Sequence, residues 1–337
     1  MARVLVTHAD EPMGRRVVKT LFHDPGVEAI LAVADGPPPR SFDHFLAGTQ
    51  PRVSYARVDL ARHRPVNDLF HGSRFRSLEI DTVVHVPRHG AASSEVAPIV
   101  SGLPERTAEA RLVLQHALEA ASISSLVAVG SAFVYRLPPG NANRLNEDCE
   151  LDLDPDVAPE IRSWIDCDMI LHGEVGGGRL RVALLRVPTV VAAGGYVYMN
   201  PVLAGRPGPR LRALGFDPIC ALVSDKDVAR AVQAAVHSRR SGIYNVAGGE
   251  VVPLSVLARW TRRRSLPVPT PLLGWMAAGA RLAGNEELRS SLDGNHLRYG
   301  FTLDTSRAER DLGFRASSRV GLARAGDGSL RLETATA

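Results

Sequence analysis

The sequence predicts an α/β protein in which helices cover a doubly wound parallel sheet and a smaller subdomain is interleaved with it. Short apolar runs that suit buried strands alternate with segments of helical spacing through the first half of the chain. The 337 residues exceed the usual length of a single domain, about 100–200 residues. Because neither a linker nor an internal repeat separates two blocks, we expect the second unit to be interleaved with the first.

Six strands are predicted in the sheet domain, each an apolar run that ends at a turn or helix signal. They occupy residues 4–7, 28–35, 53–60, 81–87, 125–135 and 181–191. Helices are predicted at residues 15–21, 105–121 and about 161–175, where apolar residues recur with helical spacing. Residues 136–160 are rich in Pro, Asn, Asp and Glu and therefore predict a long loop.

The sheet domain is predicted to span residues 1–191, with a later strand at about 241–248 returning to its sheet. Residues 192–325 form the smaller subdomain, and the polar residues 326–337 predict a disordered tail. The stretch PLLGWMAAGARLAG, at 271–284, is apolar but too short to span a membrane. It favours an amphipathic helix packed on the domain, with a helix on a membrane surface as the alternative.

Charge and cysteine content argue against several classes of function. The net charge of +4 is spread along the chain and does not favour a nucleic-acid partner. Cys149, Cys167 and Cys220 are widely separated and odd in number, which fits reduced thiols in a cytoplasmic protein. Because no CxxC or His/Cys cluster occurs, we expect no metal site. Arginine supplies nearly all the positive charge, since the only lysines are Lys19 and Lys226.

Several short stretches between residues 3 and 318 follow one another in a specific order. They are VLVTHADEPMG, Asp35 after the second strand, VDL (58–60), TVVHVP, VAVGSAFVY, ALLRVPTVV, SDKDVARAV, GIYNVAGG and DTSRAERDLGF. Together they resemble the extended short-chain dehydrogenase/reductase family, in particular its NAD-dependent epimerases and dehydratases. The resemblance implies a Rossmann-type sheet, a substrate-binding smaller subdomain, NAD as cofactor, and a homodimer formed through the helices at 105–121 and 161–175.

The family holds its dinucleotide with a TGxxGxxG turn, which reads THADEPMG at residues 7–14. Thr7 and Gly14 are retained, whereas His8 and Glu11 replace the first two glycines, which serve the tight turn and the approach of the phosphates. A carboxylate about 4 Å from a phosphate costs roughly 4 kcal/mol at an effective dielectric of about 20. Two alternatives stay open: His8 donates to a phosphate while Glu11 turns outward, or the dinucleotide is not bound tightly.

Three further residues match cofactor positions of the family. Asp35 matches the acid that accepts hydrogen bonds from the adenosine ribose, which favours NAD over NADP. Asp59 matches an aspartate near the adenine amino group, and His85 is a consensus position on the fourth strand. Both acids are equally typical of exposed loop residues at strand ends.

The family's catalytic residues are a serine or threonine and a Tyr-x-x-x-Lys couple, in which the lysine lowers the tyrosine pKa from about 10. Ser131 matches the serine. On the helix IRSWIDCDMILHGEV, Asp166 stands at the tyrosine position and Ile170 at the lysine position. No other register restores the couple, because no tyrosine lies between Tyr135 and Tyr196 and no lysine lies near this helix.

Other residues could contact a substrate. Arg106 occupies a family asparagine position, where it holds an anionic ligand or is a solvated helix residue. Tyr135 suits packing or substrate contact, and Arg186 matches a family arginine with a structural role. Asp168 and His172, four residues apart, form either a proton-transfer pair or part of a solvated helix face.

Two functions chiefly compete; a third, hydrolytic or isomerase chemistry without a nicotinamide, has no independent motif such as GxSxG in its favour. The first is a non-catalytic binding or scaffold protein, because the glycine turn and the Tyr–Lys couple are both lost. The second is an active NAD-dependent epimerase, dehydratase or reductase that uses rearranged residues on a sugar nucleotide or another small hydroxyl or carbonyl compound. The partner is a small-molecule ligand in either case, or another protein in the first.

Overall fold

The computed structural model describes residues 1–47, 52–88, 103–140, 143–192, 196–203, 210–260, 264–324 and 330–336. The strands in these ranges are β1 (Ala2–Val6), β2 (Val27–Ala34), β3 (Val53–Arg57), β4 (Thr82–His85), β5 (Ser125–Ser131), β6 (Arg144–Leu145), β7 (Arg181–Val187), β8 (Thr189–Ala192), β9 (Tyr196–Tyr198), β10 (Arg210–Ala213), β11 (Ile219–Ser224), β12 (Gly242–Asn245), β13 (Val251–Pro253), β14 (Ser265–Val268), β15 (Thr302–Leu303), β16 (Ser318–Arg324) and β17 (Leu330–Thr336).

The α-helices in the same ranges are α1 (Pro12–Phe22), α2 (Asp43–Leu46), α3 (His63–His71), α4 (Ser73–Ser77), α5 (Leu103–Glu119), α6 (Pro159–His172), α7 (Asp225–His237), α8 (Leu254–Trp260), α9 (Thr270–Leu282), α10 (Glu286–Ser291) and α11 (Ser306–Leu312). None of them is both long and apolar enough to cross a membrane.

A seven-stranded parallel sheet forms the centre of the fold, in the order β12-β7-β5-β4-β1-β2-β3. Its central strands are apolar on both faces, as in Val4–Val6 of β1, because helices cover both sides. Side chains of α1 and α7 pack on one face, and those of α3 and α5 pack on the other. The predicted doubly wound α/β class is confirmed.

The strand order reverses between β1 and β4. From β1 the chain proceeds outward to β2 and β3, and it then returns to the other side of β1 with β4 and β5. Ligands of doubly wound sheets bind in the crevice at the carboxyl ends of the strands where the order reverses. The residues that follow β1 and β4 therefore form the candidate site.

A second, four-stranded sheet in the order β13-β11-β8-β9 supports the smaller subdomain. The predicted strand at 181–191 is split at Pro188, because proline has no N–H for the ladder. The part after the proline, β8, pairs with β11 instead of staying in the central sheet. Conversely, β12 does return to the central sheet and pairs with β7.

Three further predictions differ from the structure. Helix α1 begins at Pro12 rather than residue 15, since proline is well tolerated in the first helical turn. The predicted loop at 136–160 contains β6, which pairs with β15. Part of the predicted disordered tail, Leu330–Thr336, instead forms β17, which pairs with β16. Apolar and polar residues alternate along this segment, as is typical of a strand.

Candidate functional site

The turn after β1 keeps one glycine for a packing reason. A Cβ on Gly14 would collide with the carbonyl oxygen of His8, so α1 can approach the turn closely only with glycine at this position. His8 has φ +46°, in the left-handed region, which costs a side-chain-bearing residue about 1–2 kcal/mol. The first glycine of the pattern is therefore replaced at a position where glycine would be conformationally preferred.

Glu11 occupies the second glycine position in an ordinary extended conformation, with φ −75°, and is the N-cap residue of α1. Its side chain makes no capping hydrogen bond. Burial and the charge of neighbouring Asp10 raise the pKa of Glu11. Two acidic side chains therefore stand at the helix end where a phosphate would otherwise find backbone N–H groups and a favourable dipole.

The His8 side chain is buried and turns toward β4 and α5. Its Nδ1 donates to the carbonyl oxygen of Val86 at 2.8 Å, and its Nε2 lies 3.3 Å from Glu109 Oε1. Burial lowers the pKa of His8, but the Glu109 carboxylate outweighs burial and raises the pKa overall. Both ring nitrogens therefore face groups of the chain itself, unlike the sequence-based alternative in which His8 donates to a phosphate.

A series of charges continues from Glu109 to the end of β2. Arg88 Nη2 lies 3.6 Å from Glu109 Oε1 and donates to Asp35 Oδ2 at 2.8 Å. Burial raises the pKa of each carboxyl group, but the neighbouring cationic side chains outweigh it and lower the pKa of both Glu109 and Asp35. The acid predicted to accept hydrogen bonds from a ribose is thus paired with an arginine. We call His8, Glu109, Arg88 and Asp35 the crevice charge cluster.

Sequence reasoning missed Glu109 and Arg88. Glu109 belongs to the buried face of α5, with Arg106, Ala110, Val113 and Ala117. A carboxylate at this spacing, on a helix face whose other members are mostly apolar, was the available signal for a buried charge. Arg88 directly follows the predicted fourth strand, TVVHVP, and its only signal was that position at the carboxyl end of a strand.

Thr7 directly follows β1 and His85 is the last residue of β4, so both lie at the carboxyl ends of these neighbouring strands. Thr7 Oγ1 donates to the Val86 carbonyl oxygen at 3.1 Å and accepts from the Val86 N–H at 2.9 Å. It also lies 3.1 Å from His85 Nδ1. Burial and the nearby His8 lower the pKa of His85 to about 4, so this imidazole is neutral at pH 7. These contacts fix the end of β1 against the end of β4.

Asp59 lies in the turn after β3. Its Oδ1 accepts from the Ala61 N–H at 3.1 Å, and its carboxylate forms an ion pair with Arg62 at 3.1 Å. The carboxylate is well exposed and stabilises its own turn. This environment agrees with the loop-acid alternative, while an adenine contact stays a prediction.

The reaction-centre positions lie on β5 and α6. Ser131 is buried, and its Oγ accepts from the Phe133 N–H at 3.2 Å, capping the short helical turn after β5. Asp166 is partly buried on α6. Ile170, at the lysine position, packs on the apolar cluster that contains Leu171. Neither α6 residue offers the phenol or the ammonium group of the family's couple.

The structure contradicts both interpretations that the sequence allowed for Arg106, an anion-binding residue or a solvated helix residue. It is 3% exposed, so it is not a solvated helix residue. Its Nη2 donates to Glu160 Oε1 at 3.1 Å, and its guanidinium lies 4.1 Å from the centre of the Trp164 ring. The charge is therefore neutralised between α5 and α6 rather than presented to an anionic ligand.

Arg186 and Asp168 form a buried bidentate ion pair, with both N–O distances 2.8 Å. Both expectations for Asp168, proton transfer with His172 and a solvated position, are therefore wrong. The Arg186 guanidinium also lies 4.9 Å from the centre of the Tyr135 ring. Tyr135 donates to Asn245 Oδ1 at 2.7 Å and is fully buried, which agrees with the packing alternative.

A cavity of about 780 Å³ lies on the outer side of α6, next to the segment that contains Leu151 and Leu153. Met169 and His172 contribute from the helix. Arg136 stands at its edge in an ion pair with Glu150 at 3.2 Å. Within the described ranges, no group of three or more His, Cys, Asp or Glu side chains is placed to hold a metal ion.

Comparisons with known proteins support the fold. No family model matches the chain. Uncharacterized proteins of Mycobacterium bovis and Mycobacterium tuberculosis are each 25% identical to it over 321 residues, which cover 92% of this chain and 79% of theirs.

Solved structures with this fold include DesIV, a dTDP-glucose 4,6-dehydratase from Streptomyces venezuelae with NAD and TYD bound. It is 18% identical, with a TM-score of 0.63 over 97% of this chain and 94% of that one. A UDP-glucose 4-epimerase of Thermotoga maritima with UDP-glucose has a TM-score of 0.62 at 14% identity, and the match covers 93% of each chain. At these identities the similarity establishes the fold.

Proposed function

We propose that this chain, which has the extended short-chain dehydrogenase/reductase fold of the NAD-dependent epimerases and dehydratases, is a binding or scaffold protein that does not transfer hydride. The crevice charge cluster carries the proposal. Its members form ion pairs with one another at the carboxyl ends of β1, β2 and β4, where a dinucleotide would be held. A cofactor would have to compete with Arg88 for Asp35.

The residues of the turn fit a pyrophosphate poorly. A helix N-terminus binds phosphate because its backbone N–H groups and dipole are positive. At α1 this end carries Asp10 and Glu11, and an ionised carboxylate about 4 Å from a phosphate costs roughly 4 kcal/mol at an effective dielectric near 20. Burial, together with the charge of Asp10, raises the pKa of Glu11 at this helix end.

In the part of the chain that the structure describes, neither Ile170 nor Tyr135 replaces a member of the tyrosine–lysine couple. Ile170 has no charge with which to lower the pKa of a neighbouring acid. Burial raises the pKa of the Tyr135 hydroxyl to about 12, and this hydroxyl is already bonded to Asn245. Near neutral pH it therefore stays protonated and is unsuited to abstract a proton.

The ligand that we propose is a small molecule or a protein. The cavity outside α6 has the size and mixed lining of a small-molecule site. Because DesIV was solved with NAD bound, an active enzyme that uses NAD and retains Ser131 and Asp35 is the second candidate. We further propose that the protein is cytoplasmic, in keeping with its free cysteine thiols. We also propose that it forms a homodimer through α5 and α6.

Calorimetric titration of the full chain with NAD⁺, NADH, NADP⁺ and NADPH tests the proposal. We expect no binding tighter than about 100 μM, equivalent to about 5.5 kcal/mol of binding free energy. As a control, the purified protein is denatured and the supernatant is chromatographed, because a nucleotide that co-purifies would already occupy the site and mask binding in the titration. Tight binding, or a stoichiometric co-purified dinucleotide, would refute the proposed closure of the site and favour the second candidate.

A further inference from the structure

His296 is a buried histidine in the turn after α10, and Asp293 fixes its orientation. Asp293 Oδ1 lies 2.9 Å from His296 Nδ1 and accepts from the backbone N–H groups of Asn295 and His296 at 3.1 and 3.0 Å. Burial raises the pKa of Asp293, but the charge and hydrogen bonds of His296 outweigh it and lower the pKa to about 2. The carboxylate is therefore ionised at neutral pH, and Nδ1 carries the proton that it donates to Asp293.

The other nitrogen of this imidazole, Nε2, is buried and has no hydrogen-bond partner among the described residues. Leaving a buried polar group unsatisfied is costly, so such groups in folded proteins are nearly always bonded to the protein or to ordered water. Because Asp293 already uses Nδ1, it cannot also satisfy Nε2. The unpaired nitrogen therefore indicates a partner other than the described side chains.

A cavity of about 20 Å³ lies beside the His296 ring, between the turn after β5 and strand β11. The polar side chains that line it are those of Asn200, Cys220, His296 and Tyr299. Asn200 Nδ2 donates to Thr189 Oγ1 at 2.8 Å, which uses one of its two N–H groups. A buried water needs about 10–15 Å³ and two to four polar partners. The cavity therefore has the volume and the polar groups for one water.

The rings of Phe133, His296 and Phe301 pack together beside the cavity. The centre of the Phe133 ring lies 5.2 Å from that of His296 and 5.4 Å from that of Phe301. Phe133 follows β5, whereas a backbone bridge to Cys220 holds Phe301 against β11. Both phenylalanines are buried. Since small-molecule pockets usually measure about 300–1,000 Å³, these rings leave no room for a ligand as large as a sugar.

We propose that this cavity is a binding site for a single water, which bonds to His296 Nε2 and to the side chain of Asn200 or Cys220. Water suits the site because it is small and uncharged and can both donate and accept hydrogen bonds. It joins the turn after α10 to the segment after β9 or to β11, and such a bridge is nearly as favourable as a direct hydrogen bond. Phe133 and Phe301 set the upper limit on the size of the ligand.

A crystal structure of the full chain, at a resolution that shows ordered water, tests the proposal directly. We expect a water peak at about 2.7–3.2 Å from His296 Nε2, with the rings of Phe133 and Phe301 packed as described. The proposal would be overturned by the absence of a peak, by a protein group bonded to Nε2, or by a peak that anomalous scattering identifies as an ion. This experiment needs no substitution, so it decides the proposal even if the variants below do not fold.

In solution, Phe133→Ala should convert the water site into a site for phenol, whose ring fills the space of Phe133 and whose hydroxyl reaches His296. The matched control is Phe314→Ala, which removes an equally buried ring from an apolar cluster. Melting temperatures measured with increasing phenol or benzene give the two affinities of each variant. The ratio of phenol to benzene affinity should be at least about tenfold higher for Phe133→Ala, because only there does the hydroxyl find a buried partner.

Equal ratios in Phe133→Ala and Phe314→Ala would contradict the proposed role of His296 Nε2. The wild type should bind neither phenol nor benzene at this site, because both phenylalanine rings are in place. Phenol found beside His296 in crystals of the wild type would contradict the size limit.

Discussion

The imidazole of His8 lies 3.3 Å from the carboxylate of Glu109, and both side chains are buried. His8 stands where related turns have glycine, and Glu109 comes from a helix about a hundred residues later in the chain. The two neutralise each other in a part of the fold that otherwise surrounds a ligand. The side chain at this glycine position therefore has a specific ionic partner on α5.

Replacing His8 by glycine should destabilise the protein although it relieves the left-handed backbone. The relief contributes about 1–2 kcal/mol, whereas leaving a buried charge without its partner costs about 3–5 kcal/mol. We expect a net loss of about 2 kcal/mol in the free energy of unfolding, measured by urea denaturation. The double variant His8→Gly, Glu109→Gln should recover at least about 1 kcal/mol, since the stranded charge is gone. Greater stability of His8→Gly than of the wild type would contradict this pairing.

The contribution of His8, Glu109 and the adjacent His85 to the free energy of unfolding should be greatest near pH 6.5. The raised pKa of His8 means that its contribution is present below the unfolded value of about 6.5 and is lost as pH rises above it. The pKa of His85 is lowered to about 4, so the unfolded state takes up its proton first and stability falls from about pH 6.5 toward 4. The lowered pKa of Glu109 adds a further loss in more acidic solution.

The variant Glu109→Gln separates these effects. Without the carboxylate, burial and the charge of Arg88 outweigh the hydrogen bond to Val86 and lower the pKa of His8. Urea denaturation between about pH 5 and 9 should then show a smaller loss of stability on the alkaline side, because His8 no longer holds a proton there. An unchanged alkaline slope would mean that another group titrates in this range.

Arg106→Ala should cost about 3–5 kcal/mol of unfolding free energy, because it leaves Glu160 buried without its cationic partner and removes the contact with Trp164. The control is Arg136→Ala, whose ion pair with Glu150 is 57% and 80% exposed. This pair should contribute less than about 1 kcal/mol. Thermal and urea denaturation measure both variants, and equal effects would show that Arg106 is not a structural residue.

Glu11→Gly should improve binding of ADP-ribose, which carries the pyrophosphate without the nicotinamide. Removing a carboxylate near the phosphates should raise the affinity at least about tenfold, less than the Coulomb value of about 4 kcal/mol because solvent screens the site. The variant Glu11→Gln, of similar size, isolates the charge. If both variants bind ADP-ribose more tightly than the wild type, the charge of the Glu11 carboxylate is the obstacle. If only Glu11→Gly does, the size of the Glu11 side chain is the obstacle. Isothermal titration that detects neither effect would exclude Glu11 as the obstacle.

The strands of the central sheet could be predicted because each is a local apolar run, and Gly14 and Ile170 could be identified by their positions within motifs. The environment of Arg106 could not, since its partner Glu160 lies 54 positions away and only the packing of α5 on α6 brings them together. The same holds for His8, for which the local sequence left contact with a phosphate as one of two open alternatives. Its ring orientation depends on Val86 and Glu109, which lie on two other elements.

The ion pair of Arg88 with Asp35 has a consequence for the protein in its cellular setting. A protein that binds a dinucleotide only when folded gains stability as the concentration of that nucleotide rises. In this chain the charge opposite Asp35 is covalently part of the polypeptide and is present at every nucleotide concentration. On the proposed function, the folded population, and with it resistance to proteolysis, is therefore independent of the nicotinamide supply, so the protein would persist unchanged when starvation or oxidative stress depletes that pool.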